Sequence, residues 1–197
     1  MLLDLRDCQL VLVDYQPRLM AAIAHGDDVL QRATVLAQLA QLLDVPVWGT
    51  EQAPERLGAL PAELRSRCRQ VFAKTAFDAC DSGLLAALQA PVRPTGNARS
   101  LPKHLQKPAV PARQTVVLAG CEAHVCLLQT ALGLLEHELD VWVVTDACGS
   151  RRERDRDAAF DRLASNGVEL VTVEMVGFEW LRDARHPRFR DALALLK

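Results

Sequence analysis

No stretch of this 197-residue chain is apolar for long enough to cross a bilayer, and the first ten residues carry Asp4, Arg6 and Asp7 where a signal peptide would be apolar. The expectation is a cytoplasmic protein with no membrane partner. Net charge is also nearly absent. Lys and Arg number 23 against 25 Asp and Glu, for a balance of −2, which provides no electrostatic footprint for nucleic acid. The six cysteines, at 8, 68, 80, 121, 126 and 148, have no regular spacing. They give no disulfide framework and read as reduced thiols. No internal repeat is present, and no Gly-x-Gly-x-x-Gly follows the first apolar run, which argues against a dinucleotide site.

What is present is half hydrophobic and about a quarter charged, enough for one domain over 1–197 with a substantial core. Residues 8–14 form an apolar run ending at Asp14. Residues 28–44 keep a period near 3.6 through Val29, Ala33, Leu36, Ala37, Ala40 and Leu43, the pattern of an amphipathic helix. A second strand is expected over 45–50, with Pro46 at its beginning, then a loop over 54–61 and a short helix over 63–69. A third strand over 70–73 ends at Lys74, and 84–90 looks helical. Five of the ten prolines fall between Pro91 and Pro111, among Arg93, Arg99, Lys103, His104 and Lys107. This composition predicts a long basic loop at about 91–112. Strands at 114–119, 141–145 and 168–173 alternate with helices at 124–138 and 154–165, and short helices at 174–184 and 187–196 close the chain.

Nearly all-apolar strands alternating with helices imply a parallel sheet covered on both faces. Right-handed crossovers make it a doubly wound, six-stranded, three-layer α/β/α sandwich of order 3-2-1-4-5-6. Ligands of such sheets bind beyond the carboxyl ends of the strands, where strand order reverses. Asp14, Lys74 and Cys126 lie at or just past the ends of strands one, three and four. Asp14 and Lys74 are then two strand spacings apart, roughly 10 Å, a gap that a lysine side chain can largely close.

Their chemistry is complementary. Cys126 falls on the first turn of a helix, where unpaired N–H groups and the helix dipole favour a thiolate. A nearby Lys74 ammonium should lower the Cys126 pKa further, with the Asp14 carboxylate opposing. Asp14 can take the thiol proton and return it to a leaving group. Backbone N–H groups of the 121–126 turn are placed to hold an oxyanion. The set suits acyl transfer on a small amide-like or related carbonyl substrate through a covalent thioester.

The run 119–126, AGCEAHVC, followed by Gln129-Thr130-Ala131 and Thr145-Asp146-Ala147, resembles the signature of the isochorismatase-like cysteine hydrolases. Leu12-Val13-Asp14-Tyr15-Gln16 is similar to the first strand of that superfamily, and Phe72-Ala73-Lys74-Thr75-Ala76-Phe77 to its lysine strand. Thr50-Glu51-Gln52 and Leu57-Gly58 look most like the isochorismatase domain-containing subgroup. The resemblance covers nearly the whole chain except 91–112. It implies Asp14 as base, Lys74 as thiolate-stabilising cation and Cys126 as nucleophile. It also implies a cis peptide before Glu122, with the Glu122 and Cys126 N–H groups as the oxyanion hole, and a homo-oligomer.

The sequence departs from two branches of that superfamily. True isochorismatases, which cleave a vinyl ether, lack the nucleophilic cysteine, so Cys126 argues against that reaction. Nicotinamidases carry an Asp-x-His metal motif after strand two, whereas 49–58 here has no histidine. No metal or cofactor is expected, and nicotinamide is not the expected substrate. Gln16, Phe77 and His124 are candidate substrate contacts, with His124 packing or hydrogen-bonding at the rim and Phe77 and Trp48 as core or pocket wall. Thr130, Asp146, Ser150 and Arg151 match family positions as supports. Cys121, His124 and Cys126 lack a fourth ligand for structural zinc. Two other readings stay open: a redox pair of Cys121 and Cys126, and a binding protein that retains the triad without catalysis. The tail carries Met175, Phe178, Trp180, Leu181, Phe189, Leu193 and Leu196, more apolar surface than one copy is expected to cover.

Overall fold

The computed structural model describes residues 1–91 and 112–197, so the basic loop expected at 91–112 lies almost wholly outside the described residues. Six strands form one parallel sheet in the order β3-β2-β1-β4-β5-β6, the order expected from the sequence. They are β1 (Cys8–Val13), β2 (Val47–Gln52), β3 (Gln70–Lys74), β4 (Thr115–Gly120), β5 (Asp140–Val144) and β6 (Glu169–Val171). β1 and β4 are buried at every position. This is why their sequences are continuous apolar runs rather than alternating ones.

The helices are α1 (Pro17–Met20), α2 (Gly26–Leu42), α3 (Pro54–Leu57), α4 (Ala62–Arg65), α5 (Leu84–Leu88), α6 (Leu128–Glu136), α7 (Glu153–Ser165), α8 (Val173–Leu181) and α9 (Phe189–Leu196). α2 packs with α8 and α9, and α6 packs with α7 and β5, which gives the sheet its covered faces. Gly177 of α8 lies against Leu39 of α2, and Ala33, Leu36, Ala37, Leu39 and Ala40 of α2 are all fully buried.

Several boundaries differ from expectation, the helix expected at 63–69 being the single turn α4 and the strand expected at 168–173 the shorter β6, and three of the differences involve proline. Pro46 precedes β2 instead of opening it, and its carbonyl accepts from the Leu10 N–H at 2.8 Å. The expected loop at 54–61 contains the single turn α3, started by Pro54 at a position where its missing N–H costs nothing. The one-turn α1, also opened by a proline, was not foreseen. All three reflect proline acting locally where longer-range periodicity carries no signal.

Register places the site. Val13 of β1 lies opposite Thr50 of β2 and Gly120 of β4, and Gln52 of β2 lies opposite Lys74 of β3. The ends of four strands therefore finish along one edge. Gly120 is required there, because a Cβ would collide with the backbone and side chain of Val13. The chain then turns through Cys121, which bridges to Gly149, before the next helix begins.

Candidate active site

Asp14 follows β1 in a left-handed backbone conformation, φ 55°, which turns its carboxylate under the sheet edge. The carboxylate is fully buried. Thr50 Oγ1 donates to Asp14 Oδ1 at 2.6 Å, and Lys74 Nζ donates to Oδ2 at 2.7 Å. Lys74 is equally enclosed, with its side chain 2% exposed. Its other two protons are directed at Gln52 Oε1, 2.6 Å away, and the Ala76 carbonyl, 3.3 Å away. A buried carboxylate and ammonium are tolerable only when paired and hydrogen-bonded in this way. The lysine side chain and the intervening strand β2 thus close the gap that two strand spacings leave.

Cys126 reaches the same point from the other side of β1. It lies in a turn of π-helix, Ala123–Leu127, that leads into α6. π-Turns of this kind occur often at functional sites. Cys126 is 5% exposed, and its Sγ is 3.8 Å from Gln52 Oε1. Asp14 and Lys74 both lie within interaction range of the thiol. The structure thus brings all three sequence-predicted groups together.

The direction of the thiol's ionisation reverses the sequence expectation. Burial pushes the Cys126 thiol up to about 12, the Asp14 carboxylate raises it further, and Lys74 only partly opposes them. The physical reason is that the lysine charge is already neutralised by Asp14, while solvent is nearly excluded from sulfur. The π-turn also differs from an ordinary helix start: the Val125 and Leu127 N–H groups donate to the Glu122 carbonyl, at 3.0 and 3.2 Å.

The peptide between Cys121 and Glu122 is cis. Among the described residues the Glu122 N–H has no hydrogen-bond partner. The Glu122 carboxylate turns away from the sulfur and accepts from the backbone N–H and the Nε of Arg151, each at 3.0 Å. This fastens the Cys126 turn to the segment after β5. His124 continues the fastening, its Nδ1 2.9 Å from the buried Ser150 hydroxyl.

The other sequence candidates divide. Gln16 is fully buried, and its amide accepts from the Gln52 N–H at 2.8 Å and donates to the carbonyls of Gln52 and Gly58. It braces residues 52–58 and does not face an open pocket. Phe77 is 51% exposed in the loop after β3. Trp48 donates its Nε1–H to Gln9 Oε1 at 3.0 Å, toward the opposite end of the sheet. Thr130, fully buried, accepts from the Ala79 N–H at 3.1 Å, and Asp146 accepts from Arg32 Nε and the Val173 N–H, both at 2.9 Å. Gln52 was missed as a site residue. Its only signal was its place in the Thr50-Glu51-Gln52 motif at a strand end.

A cleft of about 430 Å³ opens beside Lys74, with Pro54, Glu55, Thr75, Asp78 and Ser82 among its walls. Cys126 is not part of that lining. Among the described residues, no group of three or more His, Cys, Asp or Glu side chains is placed to hold a metal ion, and no helix is long and apolar enough to cross a membrane.

A parallel sheet of this order, with a carboxylate, an ammonium and a thiol gathered at the ends of β1, β3 and β4, has the architecture of an isochorismatase-type hydrolase fold. Residues 8–175 match the isochorismatase domain, and the chain belongs to the isochorismatase family. It is 35% identical over 188 residues to isochorismatase domain-containing protein 2A of Mus musculus, an alignment covering 95% of this chain and 82% of that protein. Two solved structures are similar over the whole chain. One is the MAR1 ribonuclease of Caenorhabditis elegans, with TM-score 0.84 and 28% identity over 92% of that chain. The other is YcaC of Escherichia coli, described as an octameric hydrolase of unknown specificity, with TM-score 0.80 and 27% identity over 89% of that chain.

Proposed function

We propose that this protein is a cysteine hydrolase that cleaves a small amide-like or related carbonyl substrate through a thioester on Cys126. The observation that carries the reading is the buried Asp14–Lys74 pair at one sheet edge, with Cys126 Sγ 3.8 Å from the Gln52 oxygen that also accepts from Lys74. In the proposed first step the thiol proton passes to Asp14 as sulfur bonds to the carbonyl carbon. The carbonyl oxygen takes the negative charge, held by the Glu122 and Cys126 N–H groups. Collapse expels the amine, which leaves with the proton from Asp14. A water molecule then attacks the thioester, gives a proton to Asp14 and releases the acid, and the proton returns to sulfur. A thiol held neutral in the resting site ionises together with attack, not before it.

The burial of Asp14, Lys74 and Cys126 and the near-neutral charge of the chain favour a small molecule over nucleic acid, although the MAR1 relative is described as a ribonuclease. The octameric description of YcaC supports a homo-oligomer here as well. We read residues 1–197 as a single hydrolase domain that works in the cytoplasm.

The test is a screen of primary amides, ureido acids and thioesters, with the acyl-enzyme trapped and weighed. Cys126→Ala should abolish turnover and leave the fold intact, and Cys126→Ser should nearly abolish it. Retention of most activity by the alanine variant overturns the assignment.

A further inference from the structure

Gln52 ends β2 directly opposite Lys74, and both ends of its side-chain amide are fixed. Nε2 donates to the Thr75 carbonyl at 2.7 Å, so Oε1 faces inward. There it accepts from Lys74 Nζ at 2.6 Å and lies 3.8 Å from Cys126 Sγ. The backbone of the same residue is held by Gln16, through the Gln52 N–H at 2.8 Å and the Gln52 carbonyl at 2.9 Å. Few exchanges of geometry are open to a residue tied at four atoms.

An ammonium has three protons. Those of Lys74 face Asp14, Gln52 and Ala76, so each has an oxygen acceptor before sulfur is considered. The thiol in turn has a carbonyl oxygen beside it. A carbonyl can accept from S–H but repels S⁻, so this contact favours the protonated form. The titratable and charged groups that reach Cys126 are Asp14 from the end of β1, Lys74 from the end of β3 and Cys121 from the end of β4. Gln52 is the neutral group among them, and it touches both the cation and the thiol.

We propose that Gln52 is a positioning residue that holds Cys126 as the neutral thiol in the resting site, accepting from S–H and drawing one Lys74 proton away from sulfur. The inference rests on the reading of Cys126 as nucleophile. Its consequence is that sulfur is guarded: a neutral thiol resists alkylation and oxidation, and reactivity waits for a substrate that completes the site.

The experiment is alkylation of the intact protein by iodoacetamide between pH 7 and 10, with the Cys126 adduct located by peptide mass. In the wild type the Cys126 rate should climb about tenfold per pH unit without levelling, because thiolate remains the minor form. A plateau near pH 8 would overturn the proposal whatever the variants do. Gln52→Leu removes the acceptor and frees a lysine proton, so the rate should rise about tenfold. Gln52→Glu, nearly isosteric, adds a negative charge beside sulfur and should lower the rate by a similar factor, roughly tenfold. Gln52→Asn, too short to reach Lys74, should follow the leucine variant and provides a polar replacement should that variant fold poorly. A residue that merely filled space would move all three variants the same way by loosening the site. That outcome, or no change in any of them, rejects the assignment. Turnover plays no part in the readout, so a protein without hydrolase activity would discard the proposed function separately.

Discussion

Asp14, Lys74 and Cys126 show how burial decides the state of a reactive group. Each was legible in the sequence as a reactive side chain at the end of an apolar run. The direction in which Cys126 titrates was not, because a helix-start pattern carries no measure of solvent exclusion. The other thiols follow the same rule. Burial raises Cys8 and Cys68 to about 11 and Cys121 to about 12, and raises Cys148 well above its ordinary value. An unfolded thiol titrates near 8.5, so above that pH the unfolded chain releases protons that the native state keeps. Native thiols bind more protons throughout the window, and stability therefore falls as pH rises from about 8.5 toward 11–12. The full contribution is present below pH 8.5. The ceiling is about 1.4 kcal/mol per pH unit for each thiol, less for the half-buried Cys68. Urea midpoints measured under reductant should drop steadily between pH 8.5 and 10, and the slope should lessen in Cys148→Ala. A midpoint flat over that range would contradict burial as the controlling cause.

At the scale of elements, the site is a property of register. β1, β2, β3 and β4 end together because Val13 pairs with Thr50 and Gly120, and Gln52 with Lys74. The strand order followed from alternating apolar runs and handed crossovers, features that a sequence displays openly. Gln52 and Gln16 were harder to read, since a glutamine past a strand end has no periodicity and its amide can turn either way. Only the fold shows that one reaches inward to Lys74 while the other folds back on residues 52–58. The loop after β3 depends on a second inter-element bond, from the Ala79 N–H to Thr130 Oγ1 on α6. Ala79 and Thr130 are both fully buried. Thr130→Val keeps the shape and removes the acceptor, leaving that N–H unpaired. The expected loss is about 1–3 kcal/mol of stability, read as a lower denaturation midpoint with the fold retained. Thr130→Ser, which keeps the hydroxyl, should recover most of it. Equal losses in the two variants would assign the effect to packing instead.

At the scale of the whole molecule, the tail behaves differently from its composition. The apolar residues of 174–197 suggested more surface than one copy could cover, yet Trp180 and Leu181 are buried, and α8 and α9 both pack on α2. Gly177 on α8 sits at that approach, between Leu39 of α2 and Leu196 of α9, which a residue count could not reveal. What remains outside is narrower: Met175 at 45% and Phe178 at 42% exposure, the latter with its ring 6.4 Å from that of Phe189. These side chains lie on the solvent side of the last two helices, and apolar groups clustered there gain by meeting a second copy of the same surface. They lead us to expect a symmetric homo-oligomer, at least a dimer, that buries this face of α8. Light scattering at micromolar concentration should give a mass at a multiple of 21.7 kDa. Met175→Glu combined with Phe178→Glu should reduce that multiple, because two charges would have to be desolvated at each contact. A wild type found only at 21.7 kDa would remove the oligomer, and an oligomer unmoved by the double substitution would place its interface on another face.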